Sequence, residues 1–173
     1  MNTLKLIVLL VSIALYTQSA FAQKGKITSA QLSLQDGKVL DAKKDIDLAL
    51  ANEEIQKRVD AWTTKGEVYT QIYVTKLYYA QNPNCLFDAK AAYLKAFELE
   101  TNPKKQKNFS TPLNDLSGYL FNEALNRFNA KKYDDAYTHF DASRTINEFL
   151  FSKNLVSTID TNAIYATAMA GAN

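Results

Sequence analysis

Three times in this chain a small residue is followed four positions later by a large apolar one, and three positions after that by a second small one. The triplets are Ala42, Ile46, Ala49, then Ala89, Tyr93, Ala96, then Ala136, Phe140, Ser143, and their first members stand 47 residues apart. Steps of four and three return to the same side of an α-helix, so each triplet forms one stripe. The small residues admit a neighbouring backbone, and the large one fills the space between two helices. Such stripes stabilise a helix mainly by burial against a partner. Ala30 and Ala124 each lie twelve residues before the first alanine of a stripe, where a preceding helix would cross.

Little interrupts the helices these stripes imply. Glycine occurs 5 times and proline 3 times in 173 residues, and good helix formers dominate between them. The pattern predicts seven helices, over about 26–34, 39–51, 55–80, 86–100, 112–129, 133–146 and from 161 to the end. Thr111 is the expected cap of the fifth, with Pro112 in its first turn, and Asp160 the cap of the seventh. Short apolar runs such as Phe149-Leu150-Phe151 lack the alternation and turn signals of strands. The expected class is all-α.

In the middle unit, Trp62, Gly66 and Tyr69 occupy the helix before Ala89. Here the chain resembles the tetratricopeptide repeat (TPR) family: Trp62, Gly66 and Tyr69 match its W-x2-L-G-x2-Y signature, with Lys65 in place of leucine. Ala89-x3-Tyr93 matches its A-x3-F portion, and Pro103 lies near its terminal proline. The family period is about 34 residues, so the 47-residue spacing implies insertions. They are expected as extra turns on the third helix and as a loop over 103–111. The resemblance spans about 26–143, and 161 onward looks like the first helix of a further unit. It implies antiparallel helix pairs stacked as an α-solenoid, about three repeats plus an unpaired C-terminal helix. That last helix either caps the stack or continues into a longer protein. Asp160-Thr161 ahead of Tyr165 and several small residues is also similar to exported TPR proteins of the Bacteroidota.

The first 22 residues read differently. Lys5 precedes an apolar run at 6–16, then polar residues, then Ala20-Phe21-Ala22 ahead of Gln23. That order matches a secretory signal peptide, and the run is shorter than the roughly 20 apolar residues that span a bilayer. The expected mature protein is residues 23–173, one domain, exported to the periplasm or beyond. With Gln23 rather than cysteine at the cut, no lipid anchor is expected there, and no later segment is apolar enough to span a membrane.

Composition narrows the chemistry. Loss of Lys5 takes the formal charge from +2 to +1, and acidic and basic residues alternate instead of forming the basic stripe of a nucleic-acid binder. Lys104, Lys105 and Lys107 form the one basic cluster, expected in a solvated loop. Cys85, the sole cysteine, is expected to be buried, intermolecular pairing being the alternative. His139, the sole histidine, adjoins Phe140 on a stripe helix and is expected to pack. One histidine and one cysteine make no zinc cluster. Glu53-Glu54 and Asp134-Asp135 are adjacent, so they point to different sides and suit helix starts better than a catalytic pair. No glycine-rich phosphate loop occurs. The expected enzyme activity, cofactor and metal are none.

The family resemblance implies an interaction scaffold that lays a partner protein segment along a concave face lined by the first helix of each pair. Candidate contacts are Gln31, Thr63, Glu67, Thr70, Gln71, Asn122 and Asn126. The lysine and asparagine clamp of cytosolic co-chaperone members is absent, because those faces carry Ile27, Gln31, Thr63 and Glu67. Two alternatives are a surface glycan or nutrient-uptake accessory, which requires Tyr73, Tyr78 and Tyr79 to be open to solvent, and the docking arm of a longer enzyme.

Overall fold

The structure, a computed structural model, describes residues 24–172, and the expected signal peptide lies outside the described residues. Within them every regular element is helical. The order is α1 (24–35), α2 (Val39–Leu50), a 3-10 turn (Ile55–Lys57), α3 (Val59–Thr75), a second 3-10 turn (Tyr79–Gln81) and α4 (Cys85–Leu99). A single helical turn, α5 (Pro103–Gln106), runs through a 3-10 turn (Lys107–Phe109) into α6 (Ser110–Asn129), which is followed by α7 (Tyr133–Ser152) and α8 (Thr161–Gly171). None of these helices is long and apolar enough to cross a membrane.

Two turns of the same construction fold α2 onto α1 and α7 onto α6. After α1, Gly37 (φ 73) donates its N–H to the Leu34 carbonyl, and Lys38 donates to Ser33, at 3.1 and 2.8 Å. After α6, Lys131 (φ 59) and Lys132 make the same two bonds, to Phe128 and Arg127, both at 2.9 Å. This is the Schellman closure, which needs a left-handed residue just past the helix. Gly37 and Lys131 are 94 residues apart, and the same interval separates Ala30 from Ala124, Ala42 from Ala136, Ile46 from Phe140 and Ala49 from Ser143. The first and last pairs therefore share one register, turn included.

The stripes face inward as their spacing requires. Ala30, Ala42, Ile46, Ala49, Ala89, Ala96, Ala124 and Ala136 are fully buried, and Tyr69, Tyr93, Phe140 and Ser143 nearly so. Gly66 is also buried, and Trp62 is half-buried with its indole N–H donating to the Gln56 carbonyl at 2.8 Å. The most extensive packing joins α6 to α7 and α3 to α4, while α2 on α3, α4 on α6 and α7 on α8 connect the pairs in chain order. One large core runs from α1 to α7, and a smaller cluster beneath α8 gathers Ala124, Ala136, Phe140 and Ala170. Lys65, where the TPR signature has leucine, reaches Asp47 of α2 at 3.4 Å and lies over the Trp62 and Tyr69 rings. Asp47 also accepts from Tyr69 and Lys43, both at 2.8 Å. Burial pushes its carboxyl up, but these bonds and the Lys65 charge outweigh that and hold it below its usual range.

Four sequence expectations are corrected. The third helix does not run from 55 to 80. Arg58 is extended (φ −101, ψ 128), held by its fork on Asp60, and separates the first 3-10 turn from α3. Lys76 takes the left-handed conformation (φ 56) and ends α3, its ammonium 3.2 Å from the Tyr73 ring centre. The insertion before Ala89 is therefore a turn, not extra helix. The loop expected at 103–111 is largely helical, because Asn102 caps α5 by accepting from the Lys104 N–H at 3.0 Å, with Pro103 in its first turn. Thr111 caps nothing: α6 begins at Ser110 directly out of the 3-10 turn, and the Ser110 hydroxyl donates to the Leu155 carbonyl instead. Finally, α7 continues past 146 to Ser152, since Leu150 is fully buried and Phe149 packs edge-on to Phe97 at 5.0 Å. Asn154 (φ 54) closes that end. Asp160 does cap α8, accepting from Asn162 N–H at 2.9 Å.

Candidate functional site

α1 and α3 form one wall of a groove, and the α5 segment with the start of α6 forms the other. Gln31 comes from α1, while Val59, Asp60, Thr63, Thr64 and Glu67 come from α3. Tyr93 of α4 shows at the floor, and Glu100, Lys105, Asn108, Phe109 and Pro112 close the far side around a hollow of about 610 Å³. Thr64 is buried and accepts from the Gln31 amide at 3.0 Å, tying α1 to α3. Thr63 donates to the Val59 carbonyl at 3.0 Å.

The charges here are unevenly matched. Asp60 is gripped by Arg58, and Glu100 accepts from the Asn102 N–H at 2.9 Å. Glu67 has neither ion pair nor hydrogen bond among the described residues. It keeps exposed surface, yet the groove walls displace enough water from its carboxyl to raise its pKa. Tyr93 is raised too, first by burial, with the Glu67 and Asp115 charges adding to the effect.

Of the seven candidate contacts, the structure brings together Gln31, Thr63 and Glu67. Thr70 lies behind them, its hydroxyl donating to the Gly66 carbonyl at 2.8 Å and meeting that of Tyr93. Gln71, Asn122 and Asn126 are exposed and lie outside this groove. Val59, Asp60 and Thr64 of α3, Tyr93 of α4, and the far-side residues Glu100, Lys105, Asn108, Phe109 and Pro112 were not among those contacts. For the far wall the signal was Asn102-Pro103, a helix-start pair that turns the supposed loop into a wall.

The other sequence candidates resolve as packing groups. Cys85 is buried at the start of α4, and burial pushes its thiol up to about 11. Tyr73 is buried against Tyr79 and Tyr119, with Tyr78 and Tyr79 half-buried, so these three make no open aromatic platform. A second hollow, about 350 Å³ and mostly apolar, lies between α6 and α8, lined by Phe121, Leu125, Phe140 and Tyr165 among others. No cluster of histidine, cysteine and carboxylate among the described residues has the arrangement to hold a metal.

His139 is buried with its ring edge-on to Phe87. Nδ1 lies 2.7 Å from the Asp135 carbonyl and must carry the proton, which leaves Nε2 buried without a partner. Burial lowers its pKa, and the nearby Arg127 charge adds to this, against Glu123, Asp135 and the Asp135 carbonyl. The unfolded histidine titrates near 6.5. Its contribution to stability is therefore complete above pH 6.5 and declines as pH falls through the lower folded value. Urea midpoints measured from pH 8 to 5 should fall over that window in the wild type and stay flatter in His139→Gln. Equal slopes would remove His139 as the cause.

Comparison of the chain with protein-family models, curated proteins and solved structures returns no match.

Proposed function

We propose that this chain is a non-catalytic interaction scaffold of the cell envelope, a TPR-like stack of helix pairs that holds an extended segment of a partner protein in the α1–α3–α5 groove. The observation that carries the reading is the groove itself, where Gln31, Thr63 and Glu67 meet around a hollow of about 610 Å³. It combines a floor of Val59, Tyr93, Phe109 and Pro112 with a rim of hydrogen-bonding groups, the make-up of a peptide site. The shared register and turn of the first and last helix pairs support the repeat reading.

The test blocks the groove by bulk. Mature protein is used to capture partners from envelope extract, alongside Thr63→Trp inside the groove and Gln71→Ala outside it. The expected result is one defined partner held by wild type and Gln71→Ala and lost with Thr63→Trp. Undiminished capture by Thr63→Trp, or no capture by any form, overturns docking in this groove.

A further inference from the structure

We propose that the segment bound in the groove carries a lysine or arginine, its cation against Glu67 and its methylene stem along the floor made by Val59, Tyr93, Phe109 and Pro112. This rests on the docking reading above and adds the chemistry of the occupant.

Carboxylates set between helices elsewhere in this molecule are matched. Asp45 holds Lys26 at 2.7 Å and accepts from Ser29, Asp47 holds Lys43 and Lys65, and Glu123 holds Arg127 at 3.2 Å. Glu67 is different: it lies in a hollow, partly stripped of water, with no cation of its own. The groove lining holds one lysine, Lys105, against Glu67 and Glu100, Lys104 and Lys107 stand exposed on the same segment outside the lining, and Arg58 already neutralises Asp60. The negative charge of Asp115 also reaches the floor at Tyr93. At Glu67 itself an acidic side chain meets repulsion, and a basic one meets complementary charge. A lysine or arginine also has the matching shape, since its stem covers apolar surface while its head stays polar. Tyr93 offers that stem an aromatic floor.

The test uses two blocked peptides of equal length, one with lysine at every third alanine position and one with glutamate there. Both are titrated into the mature protein at low and high salt, with Glu67 followed by carbon-13 NMR. The lysine peptide should bind about tenfold more tightly than the glutamate peptide and weaken with salt. It should also lower the Glu67 titration midpoint. Glu67→Gln should lose most of that tenfold preference. Asp41→Asn, which removes an exposed carboxylate on α2, should not change it. Equal binding of the two peptides, no binding of either, or equal losses in Glu67→Gln and Asp41→Asn overturns the assignment. So does concentration-dependent self-association that Glu67→Gln abolishes, which would make a second copy the occupant. Loss of the charge preference while Thr63→Trp still blocks capture would leave docking standing without it.

Discussion

Replacing Phe140 with alanine is expected to lower stability by about 3 kcal/mol, near the lower end for a buried aromatic. Phe140 is 2% exposed and centres the small cluster beneath α8, packed edge-on to Phe121 at 5.2 Å between Ala124 and Ala136. Truncation removes that ring contact and opens a void beside the existing hollow of about 350 Å³. Because the void adjoins space already present, partial collapse should moderate the loss, which is why the lower figure is favoured. The damage should also be uneven. The extensive packing of α8 is on α7, and Ala170 belongs to this cluster, so α8 depends on Phe140 more than α1 to α4 do. Urea unfolding followed by circular dichroism gives the overall loss. Amide exchange should accelerate in α8 well before the α3–α4 pair responds. A loss below 1 kcal/mol, or uniform acceleration across all helices, would show that the cluster is not a separate anchor.

The inward face of Phe140 was readable from spacing alone, as were the other stripes. Small residues seven apart, with a large one between them, are informative because a small residue at a helix crossing answers to distance between backbones, which sequence periodicity encodes. The Gly37 turn was readable for a similar reason, since glycine adopts positive φ without strain. The turns at Lys76, Lys131 and Asn154 were harder. There positive φ falls on lysine or asparagine, and no glycine marks it. For the groove, Gln31, Thr63 and Glu67 came from the faces that the TPR resemblance assigns to the first helix of each pair. The opposite wall was not among them. It depends on a one-turn helix that the local Asn102-Pro103 start sets up and on a 3-10 turn that carries Phe109 into the core, the second a consequence of tertiary packing. Lys104, Lys105 and Lys107 suggested solvated loop, and all three are exposed, yet Lys105 lines the site. Exposure and irregularity are separate properties.

Gly66→Ala is expected to destabilise the chain by about 2 kcal/mol, although alanine is favoured over glycine in a helix by about 1 kcal/mol. The reason is the approach of α3 to α4. A Cβ at Gly66 would lie 2.6, 2.7 and 2.8 Å from three atoms of the Tyr93 ring. Tyr93 is almost fully buried, and its hydroxyl meets Thr70. A rigid ring in that position cannot turn aside without disturbing both the α3–α4 packing and the floor of the groove. The clash should therefore outweigh the gain in helix propensity. If it is the cause, the sign must depend on Tyr93. In a Tyr93→Leu background, which is itself destabilised, the same Gly66→Ala change should become neutral or stabilising. The two sites should then couple by about 2 kcal/mol in a double-mutant cycle. Additive losses would mean that Gly66 matters for some reason other than its distance from Tyr93, and the close α3–α4 crossing would lose its explanation. Because Tyr93 also floors the groove, Gly66→Ala should weaken binding of the lysine peptide without touching any residue on the groove's rim.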